Sequence, residues 1–574
     1  MAGDVVPANI VEEPTMSSRR RRRIRAAVVV TVVTLAAVAW VALGSRSGLS
    51  ADELFSLATA TGHSLEHPAA IADERLGDWV DPATAMPAEY YRRYLAHDDP
   101  PATSARVMRA VRLSDTSPPL YYLLLHYWTR LFGTGDGSVR VFSVVCALGT
   151  FPGLIYLARR AGGHPAIVPA SILFAASPAA VAYSTEARMY ALVWLLASAL
   201  GALTLIVARR RSHGITLVLW VLTGALGLLT HYFFAFVWAA CVAWLALHRA
   251  RWRAPAFWAA GLATAAIVAP WYMTIPASLG QWRVTAGWLD GRLGRRGMIL
   301  GPVKLAWGLV SGHGDWDQAT SVRWLVTAVL LLLAIALLRR TRRRALAAPR
   351  VLLWLCVLAA SLGPLLFDLV LGTRTTLFAR YALAGLPAAL ALTATALARV
   401  GLGSRVALLL LLVAAALPAD WAMYTEPSRH GHSFRQIAVD LREAGPPGEI
   451  VGLVHSIPSG VLGVSRYADP DVLIASWVGQ LRQRQVPESV KALTAGASTV
   501  VFVRIHAVGE PAPEAEWLRS NSEVVGETRR GRAEIVIFRP HGIPDGRRSS
   551  CEFSVDLCRR DYISRAIGVV LRER

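Results

Sequence analysis

Two adjacent carboxylates, Asp52 and Glu53, follow the first long apolar stretch of the sequence. A carboxylate at the rim of an apolar span is placed to take a proton from a hydroxyl group as a general base. The same pair also suits a helix N-terminus or a solvated boundary, where acidic residues are common. Asp115, at the other end of the polar segment that begins here, is a candidate second acid.

Two arginines at the ends of later apolar stretches are candidates for binding a phosphate group. Arg188 and Arg380 each carry a guanidinium, which donates two parallel hydrogen bonds to phosphate oxygens. Snorkelling of the side chains toward a membrane surface is the alternative. The other candidates for binding a phosphate or a substrate are Glu186, Tyr190, His231, Tyr232 and Tyr381. An interfacial anchor is an equally good interpretation of Tyr190 and His231.

The composition indicates a polytopic membrane protein. Of the 574 residues, 54% are hydrophobic and 17% are charged, whereas soluble domains carry about a quarter charged residues. The net charge is +21, but the arginines cluster between apolar spans and not along one helix face. This pattern is typical of membrane topology, so no nucleic-acid partner is predicted.

Eleven apolar spans are predicted, each followed by a polar loop. They lie at 26–44, 139–158, 166–183, 189–208, 215–230, 233–247, 255–275, 324–338, 351–371, 381–398 and 406–418. The basic run 19–25 places the N-terminus in the cytoplasm by the positive-inside rule. Alternation then puts the later arginine clusters inside. It puts these polar loops outside: 45–118, 184–190, 230–232, 276–321 and 372–380.

The chain divides into four parts. Residues 1–25 form a cytoplasmic basic tail, and 26–419 form the membrane domain with its first outer loop at 45–118. Residues 420–540 alternate helix and strand signals, which predicts a small extracytoplasmic α/β domain. Its expected helices are 433–444 and 488–495, and its expected strands are 449–455, 472–475, 499–505 and 533–538. Residues 541–574 form an arginine-rich tail.

Shorter features complete the pattern. Segments 87–96 and 102–113 of the first outer loop suit short amphipathic helices, and 119–132 is too short to span and suits a helix at the interface. In the tail, Cys551 and Cys558 either form a short-loop disulfide, if the tail is exoplasmic, or remain free thiols.

Five motifs occur in a fixed order along residues 50–390. They are Ala51-Asp52-Glu53, Thr116-Ser-Pro-Pro-Leu-Tyr-Tyr, Tyr183-Ser-Thr-Glu-Ala-Arg-Met-Tyr190, Thr230-His-Tyr232 and Arg380-Tyr-Ala-Leu-Ala-Gly-Leu-Pro. In this order they resemble the bacterial branch of the GT-C glycosyltransferases, which is related to the protein O-mannosyltransferases and the aminoarabinose transferases. Ser117 departs from the pattern, because many relatives carry histidine or lysine immediately before the Pro-Pro pair.

The resemblance implies an inverting transfer of a sugar from a polyprenyl-phosphate-linked donor to a cell-envelope acceptor, which is a glycan, a lipid or a protein. It places the reaction at the outer face of the plasma membrane, with membrane lipid as a further partner. Asp52 is then the general base, with Glu53 either assisting it or coordinating a metal ion, and Arg188 and Arg380 hold the donor phosphate. Whether a divalent metal ion takes part is left open, and its ligands are unknown.

A transporter or flippase of polyprenol-linked intermediates is the alternative function. Transporters place ionisable residues near the middle of their spans. Here the spans are nearly free of such residues, and exceptions such as Asp368 lie close to span ends. The acids and aromatic residues collect in the outer loops, which favours an enzyme.

Overall fold

The computed structural model describes residues 16–45, 48–66, 72–114, 117–209, 214–247, 255–275, 289, 291–314, 319–339, 348–425, 434–478, 484–505 and 511–541. Its α-helices are α1 Met16–Gly44, α2 Ala51–Ala60, α3 Ala88–Arg92, α4 Ser104–Ser114, α5 Leu120–Phe132, α6 Asp136–Gly162, α7 Ile167–Ala175, α8 Pro178–Ser184, α9 Tyr190–Val207, α10 Gly214–Leu228, α11 Phe234–Leu247, α12 Pro255–Tyr272, α13 Arg295–Ser311, α14 Thr320–Arg339, α15 Pro349–Leu371, α16 Leu386–Leu397, α17 Leu402–Thr425, α18 Phe434–Ala444, α19 Pro458–Tyr467, α20 Glu488–Leu493 and α21 Pro513–Asn521. The strands are β1 Met86–Pro87, β2 Ile450–His455, β3 Leu473–Trp477, β4 Thr499–Arg504, β5 Ser522–Arg530 and β6 Ala533–Pro540.

Every predicted apolar span coincides with a helix or a helix pair. Within the described residues, α1, α6, α9, α15 and α17 are long and apolar enough to cross a membrane. The pair α7 and α8 meets the same test as one span bent by 57°. Shorter apolar helices, including α10 and α11, lie between these spans in the sequence. A multi-pass helical membrane protein is therefore confirmed, while the number eleven and the sidedness stay predictions.

The bend between α7 and α8 has a local cause. Pro178 lacks the N–H that would continue the hydrogen-bond ladder of α7, so the helix stops before it. Ser177 caps the new helix by accepting the N–H of Ala180 at 3.2 Å. Its own hydroxyl donates to the carbonyl oxygen of Gly312 at 2.6 Å. The break is thereby tied to the end of α13, and α8 leads directly into the loop that carries Arg188.

The prediction that 276–321 is a loop throughout is wrong in part, because α13 occupies 295–311. Arg295, Arg296 and Pro302 interrupt its apolar pattern and hide the helix from a hydropathy argument. The helix nevertheless has a buried packing face, which contains the small residues Gly301 and Gly308 together with Leu305. This face packs against α15 and α16.

The C-terminal part of the described chain contains one mixed sheet in the order β1-β3-β2-β4-β6-β5. Strands β3, β2 and β4 are parallel, and all six residues of β2 are buried, as in a central parallel strand covered on both faces. Strands β6 and β5 add an antiparallel hairpin. The sequence pattern predicts β2, β3, β4, β6, α18 and α20 at these positions, whereas α19, α21 and β5 are additional elements.

The long loop after α1, residues 45–118, is folded onto this sheet. Its strand β1 pairs with β3 through Met86 and Ile474. The two amphipathic helices predicted in the loop appear as α3 with a following turn and as α4, and the predicted interfacial segment is α5. Arg92 of α3 donates to the carbonyl oxygens of Ser465 and Ala468 at 3.1 and 2.6 Å. The loop is therefore joined to the C-terminal α/β unit both through the sheet and through α3.

Candidate active site

Helix α2 carries both carboxylates of the first motif in its first turn. Ser50 precedes the helix as its N-cap and takes part in a complete capping box with Glu53. The backbone N–H of Ser50 donates to Oε2 of Glu53 at 2.8 Å, which satisfies a donor that the helix itself leaves unpaired. The cap fixes where the helix starts, and it therefore fixes the direction in which Asp52 projects.

Glu53 is buried and fully occupied by protein partners. Its side chain is 2% exposed and accepts two hydrogen bonds from Arg140, both of 2.7 Å. The backbone N–H of Ala187 donates to Oε1 at 2.9 Å. Burial raises the pKa of Glu53, but the charge and hydrogen bonds of Arg140 outweigh burial and lower it overall. Glu53 therefore joins α2, α6 and the loop before α9 as an anion that is closed to substrate.

Arg140 is a site residue that the sequence argument missed. It lies in the first two turns of the apolar helix α6 and also donates to the carbonyl oxygens of Gly44 and Gly48 at 2.8 and 2.9 Å. An arginine inside an apolar span is the signal that could have revealed it, because a buried cation requires an anionic partner.

Asp52 is the open member of the acidic pair. Its side chain is 51% exposed, and its Oδ2 lies 3.3 Å from Nη1 of Arg380, which is 24% exposed. The guanidinium of Arg380 also lies 5.5 Å from the ring centres of Phe378 and Tyr381. Residues 328 positions apart therefore place a carboxylate and a guanidinium side by side.

The turn that carries Arg380 is held by Asp368, near the end of α15. Its carboxylate accepts five hydrogen bonds of 2.6–2.8 Å from Thr373, Thr375 and Thr376. Helix α13 packs closely against the same turn at Gly301, where an added Cβ atom would lie only 2.4 Å from Cγ2 of Thr376. The position of Arg380 is thus set by contacts several residues earlier in the chain.

Arg188 contacts α2 one turn beyond Asp52. Its Nη1 donates to the hydroxyl of Ser56 at 3.0 Å and contacts the hydroxyl of Tyr122 at 3.5 Å. Ser56 follows Asp52 by four residues, so the two share one face of the helix. The two predicted phosphate ligands, Arg188 and Arg380, accordingly contact the same face of α2, one helical turn apart.

Three ring-bearing side chains, Tyr190, His231 and Tyr381, lie near the two arginines. The ring centres of Tyr190 and His231 are 6.2 Å apart, and those of His231 and Tyr381 are 6.4 Å apart. Burial, followed by the charges of Arg188 and Arg380, lowers the pKa of His231 to about 3. His231 is therefore a neutral hydrogen-bonding group at physiological pH and not a third cation.

Glu186 adds a second carboxyl group near Asp52. Burial, followed by repulsion from Glu53 and Asp52, raises the pKa of Glu186 to about 8, although Arg188 and Arg380 act in the opposite direction. Most of this group is consequently protonated at neutral pH, where it can donate a hydrogen bond. The backbones of Glu186 and Arg188 are also joined, because the Arg188 N–H donates to the Glu186 carbonyl oxygen at 2.8 Å.

The remaining predicted residues stand apart from this group or outside the described chain. Tyr232 accepts a hydrogen bond from the indole N–H of Trp271 at 3.1 Å and packs edge-on against Tyr272, on α12. Asp115 lies outside the described residues, as do Cys551 and Cys558. Within the residues that the structure describes, no three His, Cys, Asp or Glu side chains group closely enough to hold a metal ion.

The fold and the site together define a multi-pass membrane protein with an exposed carboxylate beside one arginine and a second arginine one helical turn further along. Residues 116–273 match the family described as dolichyl-phosphate-mannose-protein mannosyltransferase. That segment contains three of the five sequence motifs, including Tyr122, Arg188 and His231. No curated protein matches the sequence.

Solved structures show the same architecture over most of the chain. The crystal structure of ArnT from Cupriavidus metallidurans bound to undecaprenyl phosphate shares 14% identity, with a TM-score of 0.53 over 89% of this chain and 97% of that one. The apo state of ArnT from the same organism has the same identity and coverage and a TM-score of 0.50. The family match over residues 116–273 confirms the predicted resemblance to the GT-C membrane glycosyltransferases, and the ArnT structures share the overall fold.

Proposed function

We propose that this protein transfers a sugar from a polyprenyl-phosphate-linked donor to a cell-envelope acceptor. The observation that carries the proposal is the arrangement on one face of α2, where Arg380 lies 3.3 Å from Asp52 and Arg188 lies 3.0 Å from Ser56. Two guanidinium groups one turn apart on the helix that carries an exposed carboxylate suit a reaction that pairs a general base with an anionic leaving group.

Asp52 is the proposed general base. It takes the proton of the acceptor hydroxyl while that oxygen attacks the anomeric carbon of the donor sugar. The bond from that carbon to the phosphate oxygen breaks, and its electron pair leaves with the polyprenyl phosphate. One displacement of this kind inverts the anomeric configuration. Asp52 suits the role because it is half exposed, whereas Glu53 is closed in by Arg140 and the backbone.

Arg380 and Arg188 are the proposed ligands of the departing phosphate. Charge on that group grows as the glycosidic bond breaks, so fixed cations beside it stabilise the transition state more than the ground state. ArnT, which has a similar fold, binds undecaprenyl phosphate, and this supports a lipid phosphate as the substrate class of this protein. Protonated Glu186 and neutral His231 offer further hydrogen bonds without adding charge.

The proposed setting is the outer face of the plasma membrane. The basic run before α1 supports a cytoplasmic N-terminus, and alternation of the spans supports an extracytoplasmic site. On this assignment the first outer loop and the α/β domain face the cell envelope, where a glycan, lipid or protein acceptor is available. Cysteine-accessibility labelling at a tail position and at Arg342→Cys tests the assignment, since only the tail should react from outside.

The function is tested by reconstituting the protein with radiolabelled polyprenyl-phosphate sugars and a cell-envelope extract as acceptor. Wild type should transfer label, and Arg380→Gln should lose at least about 100-fold in rate. Arg442→Gln is the matched control, because Arg442 pairs with Asp469 at 2.6 Å on the α/β domain, away from the site. Parallel reactions with a chelator show whether a divalent ion is needed.

The same vesicles distinguish an enzyme from a transporter. If labelled lipid changes leaflet while no label reaches an acceptor, and if Arg380→Gln leaves the rate of leaflet exchange unchanged, the protein is a flippase and the proposal is wrong.

A further inference from the structure

The segment that leads into α2 is held from two sides. From the membrane domain, Arg140 donates to the carbonyl oxygens of Gly44 and Gly48. From the α/β domain, the hydroxyl of Tyr467 accepts the backbone N–H of Leu49 at 2.6 Å. Leu49 is 1% exposed and immediately precedes the N-cap Ser50, so its position determines where the helix of Asp52 begins.

Tyr467 is itself held by a network on α6. Its hydroxyl donates to Oδ2 of Asp136 at 2.7 Å. Arg466 donates to Oδ1 of Asp136 at 2.9 Å and to the carbonyl oxygen of Thr134 at 2.8 Å. Arg435 donates to the same aspartate at 3.0 Å, and its guanidinium lies 5.2 Å from the centre of the Tyr467 ring. One tyrosine thus connects α19, α6 and the start of α2.

The ring of Tyr467 is closely packed against the backbone at Gly48. A side chain at Gly48 would come within 2.9–3.0 Å of the Tyr467 ring, closer than atoms normally approach. Asp136 and Arg140 are four residues apart on α6, so they lie on one face of that helix and hold the segment 48–50 from adjacent points. A shift of Tyr467 must therefore move this segment, and Asp52 moves with it.

We propose that Tyr467 is a positioning residue for Asp52, through which the α/β domain sets the geometry of the catalytic helix. The inference rests on the proposed function for its catalytic consequence. It assigns the α/β domain a part in the reaction that is separate from acceptor binding. Displacement of a reacting group by about 1 Å can cost 100-fold in rate, so loss of this contact should act on turnover and not on donor binding.

The test compares Tyr467→Phe with Tyr91→Phe. Tyr91 also joins the loop 45–118 to the α/β domain, but its hydroxyl donates its one hydrogen to the carbonyl oxygen of Ile474 on β3 at 3.1 Å. We expect Tyr467→Phe to lower kcat about tenfold while KM for the donor stays within about twofold. Tyr91→Phe should keep the wild-type kcat. A second variant, Gly48→Ala, should reproduce the Tyr467→Phe pattern by pushing against the ring.

Hydrogen exchange of the peptide that covers residues 48–53 provides a readout that does not depend on activity. Tyr467→Phe should accelerate its exchange, and Tyr91→Phe should not. A normal kcat in Tyr467→Phe, or an equal loss in both tyrosine variants, would overturn the positioning role. If wild type transfers no sugar at all, the proposed function fails separately, and unchanged exchange in Tyr467→Phe would overturn the contact as well.

Discussion

Substitution of Glu53 by glutamine tests the contrast between the two adjacent carboxylates. Glu53 and Arg140 have side chains only 2% and 5% exposed, and two hydrogen bonds of 2.7 Å join them. Removal of one partner of a buried ion pair typically costs about 3–5 kcal/mol, because the other charge is left buried. Glutamine keeps one acceptor oxygen, so we expect a loss near the lower end, about 3 kcal/mol.

The loss is measured by unfolding the purified protein with a denaturing detergent. Glu89→Gln is the control, since Glu89 pairs with Arg92 at the same 2.7 Å but is 64% exposed. An exposed pair contributes about 0–1 kcal/mol, so this variant should unfold nearly like wild type. In the double variant Glu53→Gln/Arg140→Gln, the two losses should fall short of additivity by about 2 kcal/mol. Equal stability of Glu53→Gln and wild type would refute the anchoring role.

Two further predictions concern the surroundings of Asp52. The transfer rate should fall as the pH rises through about 8, because Glu186 then becomes a second anion beside Asp52, and Glu186→Gln should lack this alkaline limb of the pH–rate profile. Since the pKa of Glu186 is raised in the folded state, its protonated form favours folding at low pH. This contribution to the free energy of unfolding declines as the pH rises above the unfolded pKa of about 4.3, and it is lost at about pH 8. An alkaline limb of equal size in the wild type and in Glu186→Gln would contradict the assignment. Asp368→Asn should lower kcat about tenfold and accelerate hydrogen exchange over residues 373–381. The reason is that an amide cannot accept all five hydrogen bonds that position the turn before Arg380. A wild-type kcat in this variant would show that Arg380 is positioned without Asp368.

Hydropathy and arginine clusters were sufficient to predict where the membrane helices lie. Each predicted span contains a helix, since a run of apolar residues between arginines has few other stable structures in a bilayer. The central strands β2 and β4 were equally visible as valine-rich runs. In contrast, α13 was missed because Arg295, Arg296 and Pro302 mask a face built from small residues.

The grouping of Asp52, Arg188 and Arg380 was expected from the resemblance of the motifs and not from local sequence. The sequence could not separate the roles of Asp52 and Glu53, because that difference depends on Arg140, a partner 87 residues away on another helix. The contact of Tyr467 with Leu49 spans 418 residues and leaves no local pattern at all. Long-range hydrogen bonds of this kind appear only when the fold is known.

The rate of sugar transfer by Asp52→Asn tests the central claim most directly. Because Asp52 is 51% exposed and exposed ion pairs contribute little to stability, asparagine should leave the yield and the unfolding of the protein close to wild type. The account predicts a loss of at least about 100-fold in kcat from the missing base. Transfer by Asp52→Asn at the wild-type rate would contradict it.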